Sequence, residues 1–105
     1  MLNINFLHAE KLATVLRGKI IASNLSDIQV MIKESDGSIL DMTDIHSITG
    51  DYNLDLTIMD SPSLAEVKKL IVEVKDKTGK KKNFKLNQYL VDFNDTVSLN
   101  PIILE

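Results

Sequence analysis

The sequence contains no cysteine and no tryptophan, and only 5% of its 105 residues are aromatic. Without cysteine, neither a disulfide framework nor a zinc ribbon can form, so packing alone must hold the fold together. The scarcity of large aromatic side chains also disfavours the deep, aromatic-lined cleft of a glycoside hydrolase. We expect no cofactor.

Long apolar runs and an excess of basic residues are absent too. There are 12 lysines and arginines against 15 acidic residues, a net charge of −3. Because clustered basic residues dominate phosphate binding, this balance argues against a nucleic-acid-binding protein. The first residues show no basic leader followed by an apolar stretch. We therefore expect no signal peptide, no membrane partner and synthesis in the cytoplasm.

The length indicates one domain, since a second core would leave each half near the size at which burial barely offsets chain entropy. Hydrophobic residues make up 44% of the chain and charged residues 26%, proportions typical of a folded protein. We predict a single domain over residues 1–105, in which residues 1–13 form an N-terminal arm or an extra strand.

The clearest strand signal follows a turn at Gly50. From Tyr52 to Ile58 every second residue is apolar or aromatic and the residues between are polar, the period-two pattern of a half-buried strand. It predicts a strand over residues 52–59. Similar patterns and turn residues predict strands over residues 14–22, 28–33, 38–43, 70–75, 81–87, 90–93 and 97–104, with 44–48 a short strand or a loop.

This spacing predicts an all-β fold, a seven- or eight-stranded antiparallel β-sandwich. A short helical turn near Ser63–Lys69 is predicted as well, because Ser63 and Glu66 have the spacing of a capping box. Pro101 should confine the last strand to an edge or a bulge, since proline cannot donate to a ladder.

Short strand and turn patterns occur in four segments, residues 17–20, 28–32 with 36–38, 49–54 and 70–74. These segments resemble the transthyretin-like, carboxypeptidase-regulatory-like family of small β-sandwiches, which implies a sandwich of the Ig-like or transthyretin-like kind. The resemblance implies a non-catalytic module of the kind found in larger extracellular, cell-surface and phage virion proteins. It does not extend to the enzymes among transthyretin relatives, whose Tyr-Arg-Gly-Ser ending is replaced here by Pro-Ile-Ile-Leu-Glu.

No catalytic motif stands out, and we predict no catalytic residue, no metal ligand and no enzyme. The two histidines, His8 and His46, belong to no metal-binding motif. The Gly-X-Ser-X-Gly motif is missing, and Gly79-Lys80 lacks the upstream glycine of a phosphate-binding loop. A small hydrolase that combines His46 with two carboxylates is only a third hypothesis.

Aspartates suggest an alternative function, a carbohydrate- or calcium-binding module. Calcium takes about six to eight oxygen ligands, which carboxylates gathered at one loop edge can supply. The competing interpretation is that these residues serve ordinary turns and outward strand positions. The aspartates concerned are Asp41, Asp44, Asp51, Asp92 and Asp95.

Lysines concentrate on one predicted hairpin. We interpret them as protection of a sheet edge, because lysines deter pairing between exposed edge strands. A docking patch for an anionic surface is the alternative. The lysines are Lys75, Lys77, Lys80, Lys81, Lys82 and Lys85.

Apolar residues near both ends of the chain are the predicted interface. Such segments either add edge strands within the monomer or pair with a neighbouring subunit by strand addition. The function predicted from these features is a non-catalytic structural or protein-interaction subunit of a homo-oligomer or larger assembly, such as a phage virion. The interface residues are Leu2, Ile4, Phe6, Ile102, Ile103 and Leu104.

Overall fold

The structure, a computed structural model, describes residues 14–60 and 62–104, which form two β-sheets and three short helical segments. The helical segments are two 3₁₀ turns, Thr57–Met59 and Leu86–Gln88, and the helix α1, Leu64–Lys68. None of them is long and apolar enough to cross a membrane. The strands are β1 Val15–Ile21, β2 Gln29–Lys33, β3 Ile39–Asp44, β4 Asp51–Asp55, β5 Ile71–Lys75, β6 Lys81–Lys85, β7 Leu90–Phe93, β8 Thr96–Leu99 and β9 Ile102–Ile103.

The two sheets differ in their pairing. The first sheet has the order β4-β1-β8-β7, and β9 pairs with β1 beyond the end of β8. In this sheet β1 runs antiparallel to β4 but parallel to β8 and β9. The second sheet has the order β3-β2-β5-β6 and is antiparallel throughout. The predicted all-β sandwich is confirmed, with the difference that the first sheet is mixed.

The predicted strand over residues 97–104 is divided in two. Val97 in β8 lies opposite Leu16 of β1, and Ile102 in β9 lies opposite Ile20 of the same strand. Asn100 and Pro101 separate these pairings, and the amide of Asn100 turns away to donate to the carbonyl of Tyr89 at 2.7 Å. Proline interrupts the ladder because it has no N–H to donate.

The predicted strand over residues 52–59 ends early, at Asp55. The Asp55 carboxylate accepts hydrogen bonds from the Thr57 amide at 2.8 Å and the Thr57 hydroxyl at 2.7 Å. This local turn competes with the strand and starts the first 3₁₀ turn. Ile58 is consequently 69% exposed instead of facing the core as its period predicted.

Alternating apolar residues of both sheets meet in one core. Leu16 and Leu54 are directly opposed in the first sheet, and Ile32 and Val72 in the second. Burying each such side chain is worth about 1.5 to 3 kcal/mol. The core contains Leu16, Ile20, Ile28, Val30, Ile32, Tyr52, Leu54, Leu56, Val67, Leu70, Val72, Val74, Leu86, Val97, Leu99 and Ile102.

The predicted helical turn and its capping box are confirmed. The Ser63 hydroxyl accepts a hydrogen bond from the Glu66 amide at 3.1 Å, and the Glu66 carboxylate accepts one from the Ser63 amide at 2.8 Å. Two amides at the helix start are satisfied reciprocally. The turn carries the fully buried Val67 into the core.

Gly50 brings the loop between β3 and β4 against β1. Its φ is +84°, a conformation that favours glycine, and its carbonyl accepts a hydrogen bond from the Ile20 amide at 2.9 Å. A Cβ atom at this position would overlap the Ile20 carbonyl. The loop can therefore approach β1 only through a residue without a side chain.

We predict that Gly50→Ala lowers the free energy of unfolding by about 3 kcal/mol or more, because strain and overlap with Ile20 add together. Urea denaturation followed by circular dichroism measures the loss. Gly79→Ala is the matched control, since Gly79 also has a positive φ, of 88°, but has nothing within 4 Å of an added Cβ. Equal losses in the two variants would contradict the close approach.

Candidate functional site

The C-terminal interface residues lie in three different environments. Ile102 is fully buried opposite Ile20, and the amide of the partly buried Leu104 donates to the Ile21 carbonyl at 2.8 Å. Only Ile103 is exposed, at 61%. The C-terminal segment thus adds a strand within the chain, so Ile102 contributes to the core instead of a docking surface. The N-terminal residues predicted for the interface, Leu2, Ile4 and Phe6, lie outside the described residues.

Exposed apolar side chains occur at one end of the sandwich. Ile103 lies opposite Ile21 in the β1–β9 ladder, and Ile21 is 44% exposed. Ile48, in the loop between β3 and β4, is 95% exposed. The hydrogen bond between Gly50 and Ile20 holds this loop beside the end of β1. We call Ile21, Ile48 and Ile103 the apolar end patch.

A shallow depression of about 460 Å³ lies at the same end. It is formed by residues 22–26 of the β1–β2 loop and residues 45–48 of the β3–β4 loop. His46 is among its lining residues, but none of them is acidic. Among the described residues, this depression therefore does not combine His46 with the two carboxylates that the hydrolase hypothesis requires.

The five aspartates of the calcium hypothesis lie on separate elements. Asp41 and Asp44 are on β3 and Asp51 begins β4, whereas Asp92 and Asp95 lie in and after β7, at the far side of the first sheet. Within residues 14–60 and 62–104, no group of three or more acidic or histidine side chains is arranged to hold a metal ion.

Most of these carboxylates instead make local hydrogen bonds. Asp41 accepts from the Asp55 amide at 2.7 Å and so links β3 to β4 across the edge of the sandwich. Asp51 accepts from the Thr49 hydroxyl, and Asp92 accepts from the Asn94 side chain at 2.9 Å. The interpretation as turn and edge residues accounts for these contacts.

The predicted lysine hairpin is formed by β5 and β6, and β6 is an edge strand in the sheet formed by the described residues. Lys81, Lys82 and Lys85 on this edge are all exposed. Lys33 and Glu73 form the one ion pair within the described part of the chain, at 2.8 Å on the neighbouring strands β2 and β5. The other lysines of this sheet thus have no ionic partner among the described residues.

Tyr52 is the one described residue with a buried polar side-chain atom that lacks a hydrogen-bond partner. Its ring lies over Gly18 on β1, where a Cβ atom would overlap the hydroxyl. Burial raises the pKa of Tyr52 above its ordinary value. The tyrosine serves to cover a glycine in a strand, at the expense of an unsatisfied hydroxyl.

No protein-family model, curated protein or solved structure matches this chain. The fold and the surfaces described above are therefore the basis for assigning a function. Two features distinguish those surfaces: the apolar end patch and the lysine-rich edge strand β6.

We predict that Tyr52→Phe raises the free energy of unfolding by about 1 kcal/mol, because it removes a buried hydroxyl that has no partner. Because the pKa of Tyr52 is raised in the folded state, the hydroxyl ionises more readily in the unfolded chain. The free energy of unfolding therefore falls as the pH rises above the unfolded pKa of about 10. Urea midpoints at neutral and alkaline pH should show a smaller alkaline loss in the variant.

Tyr89→Phe is the control for this prediction. Tyr89 is partly buried and packs edge to face on Phe84, with the ring centroids 5.8 Å apart. Its substitution should leave the alkaline loss of stability unchanged. A Tyr52→Phe variant less stable than the parent would show that the hydroxyl has a partner.

Acid should destabilise the fold through its turn carboxylates. Hydrogen bonds from Ser38 to Asp36, from Thr57 to Asp55, from Ser63 to Glu66 and from Thr78 to Asp76 lower the pKa of each acceptor. A carboxyl group whose pKa is lower in the folded chain stabilises the fold at any pH above its unfolded pKa of about 4. This stabilisation is lost as the pH falls through the folded pKa.

We therefore predict that the urea midpoint decreases as the pH is lowered from about 6 to about 3, and that this decrease is smaller in Asp76→Ala. Asp76 is the strongest choice because one of its oxygens accepts from the Thr78 amide, the Thr78 hydroxyl and the Lys80 amide. Asp95→Ala is the matched control and should keep the full pH dependence. An Asp76→Ala variant as acid-sensitive as the parent would contradict this account.

Proposed function

We propose that this chain is a non-catalytic β-sandwich subunit that binds other protein subunits, further copies of itself included, within a multi-subunit assembly. The observation that supports this proposal is the apolar end patch. Ile21 and Ile103 are neighbours in one ladder, and Ile48, 95% exposed, belongs to the loop that Gly50 holds against Ile20 at the same end of the sandwich.

The patch has the properties of a docking surface. Large exposed apolar patches are uncommon on monomeric proteins and mark interaction sites. Covering each isoleucine would contribute up to about 1.5 to 3 kcal/mol. Ile21 and Ile103 are already fixed by the sheet, so that little ordering entropy opposes binding.

The resemblance to the transthyretin-like family, whose modules occur in phage virion proteins, favours a virion as the assembly. The N-terminal residues Leu2, Ile4 and Phe6 remain predicted contributors to its contacts. The alternative function, calcium or carbohydrate binding, has no supporting arrangement among the described residues, because the aspartates that it requires are on separate elements.

We predict that Ile103→Asp, combined with Ile48→Asp, reduces the mass of the protein in solution to that of a monomer. A carboxylate in each of these positions would have to be desolvated in the contact, which disfavours association. Sedimentation equilibrium over a range of concentrations at about 0.5 M salt measures the effect with ionic interactions screened.

Ile58→Asp is the matched control. Ile58 is 69% exposed but lies in the 3₁₀ turn after β4, away from the apolar end patch. This variant should associate as the parent does. A parent protein that is monomeric at every concentration in 0.5 M salt, or a control that dissociates equally, would contradict the proposal.

A further inference from the structure

Charge is sharply divided along the chain. Residues 34–66 contain eight acidic residues and no lysine or arginine, whereas residues 67–85 contain eight lysines and only two acidic residues. The small net charge of −3 conceals this division. The fold decides whether the two groups cancel each other or lie on different sides of the molecule.

Four of the acidic residues, Asp41, Asp44, Asp51 and Asp55, lie on the neighbouring strands β3 and β4. Among the described strands, β3 is an edge of the second sheet and β4 is an edge of the first, and the hydrogen bond from the Asp55 amide to Asp41 links the two strands. Asp44 is exposed at the end of β3. Lys19 lies opposite Asp51 in the β1–β4 ladder, yet forms no ion pair with it.

Three of the lysines lie on β6, on the opposite side of the second sheet from β3. Within the described part of the chain β6 is the other edge of this sheet, and Lys81, Lys82 and Lys85 on it are exposed. At one end of β6, Lys85 borders an open groove of about 520 Å³ together with Lys68 and Lys69, and no acidic residue lines that groove. The second sheet therefore has an acidic edge, β3, and a basic edge, β6.

The strand directions make these edges compatible with each other. All three pairings in the order β3-β2-β5-β6 are antiparallel, so β3 and β6 run in opposite directions. A second copy placed beside the first in the same orientation would bring its β3 antiparallel to β6. With four strands in the sheet, the alternation of hydrogen-bonded and non-hydrogen-bonded pairs also continues without a shift.

We propose that copies of this chain associate head to tail, with β6 of one copy pairing with β3 of the next to extend the second sheet. The inference rests on the proposed role as an assembly subunit and adds a contact independent of the apolar end patch. Main-chain hydrogen bonds between edge strands provide the contact, and the opposite charges provide its polarity. Such heterologous contacts build rings or filaments.

The internal register identifies the residues that meet. Gln29 lies opposite both Asp44 and Lys75, and Lys75 lies opposite Lys81, so that Asp44 and Lys81 end one row across the sheet. Continuation of this row places Lys81 of one copy opposite Asp44 of the next. Pairing of two β6 strands would instead oppose lysines, and pairing of two β3 strands would oppose aspartates, both of which are unfavourable.

The test is an exchange of charge between copies of the full chain. Asp44→Lys and Lys81→Glu should each weaken self-association at low salt at least about tenfold, because each places like charges in the contact. An equimolar mixture of the two variants should associate as the parent does, because each contact between unlike variants again places opposite charges at positions 44 and 81. Sedimentation velocity at about 0.02 M salt measures all three samples.

Two controls separate this contact from a general effect of charge. Asp95→Lys makes the same change as Asp44→Lys, but in the turn between β7 and β8, and should associate as the parent does. Lys81→Arg keeps the charge and should do so as well. Thermal melting of each variant verifies that the fold is retained.

The outcomes distinguish this inference from the proposed function. Association at low salt that the single variants weaken and the mixture restores would support the head-to-tail contact, whatever happens to the apolar end patch in 0.5 M salt. Association unaffected by either charge variant would overturn it and leave the proposed function standing. A monomer at low salt that binds heparin through Lys81 would overturn it too, by assigning β6 to a polyanion.

Discussion

The first sheet depends on β1, because this strand has ladder partners along both of its edges. β4 pairs with one edge, and β8 followed by β9 pairs with the other. Two close approaches of other segments to the backbone of β1 depend on glycines. Gly18 leaves room for the Tyr52 ring, and the Ile20 amide donates to Gly50. Both glycines permit approaches that a side chain would prevent, and the turn before β4 and the apolar end patch are positioned as a result.

Polar side chains stabilise the connections between strands, whereas apolar side chains form the layers. Asp36, Asp55 and Asp76 each accept hydrogen bonds from residues just after them, and Asp41 joins the two sheets at one edge. On the outer face of the second sheet, a polar side chain is placed within the sheet itself. There Glu73, only 5% exposed, pairs with Lys33, so that a nearly buried carboxylate is compensated by a cation on the next strand.

Period-two patterns predicted the strands best where one face is buried against the other sheet. The strands around Leu16, Val30 and Val72 were found where they were expected, and so was the helical turn that starts at Ser63. The pattern failed after Asp55, where a side chain offered the backbone a competing turn, and after Leu99, where proline divided a strand.

The candidate surfaces were only partly predictable. Ile103 and the lysines of β6 were identified from the sequence, but Ile21 and Ile48 were not, because their exposure follows from the way the last strand and a loop are placed beside β1. A single sequence also gives no sign that β8 and β9 run parallel to β1, since such pairing joins residues far apart in the chain.

That parallel pairing has a consequence for biosynthesis. Val15 lies opposite Thr96 and Ile21 lies opposite Ile103, so that the strand translated first among those described has to wait for the last ones before one of its sides is covered. A nascent chain that stops before β8 leaves that side of β1 open to any other unpaired strand. Folding into the final form is thus delayed until translation has passed these segments, and contacts of such long sequence separation form slowly.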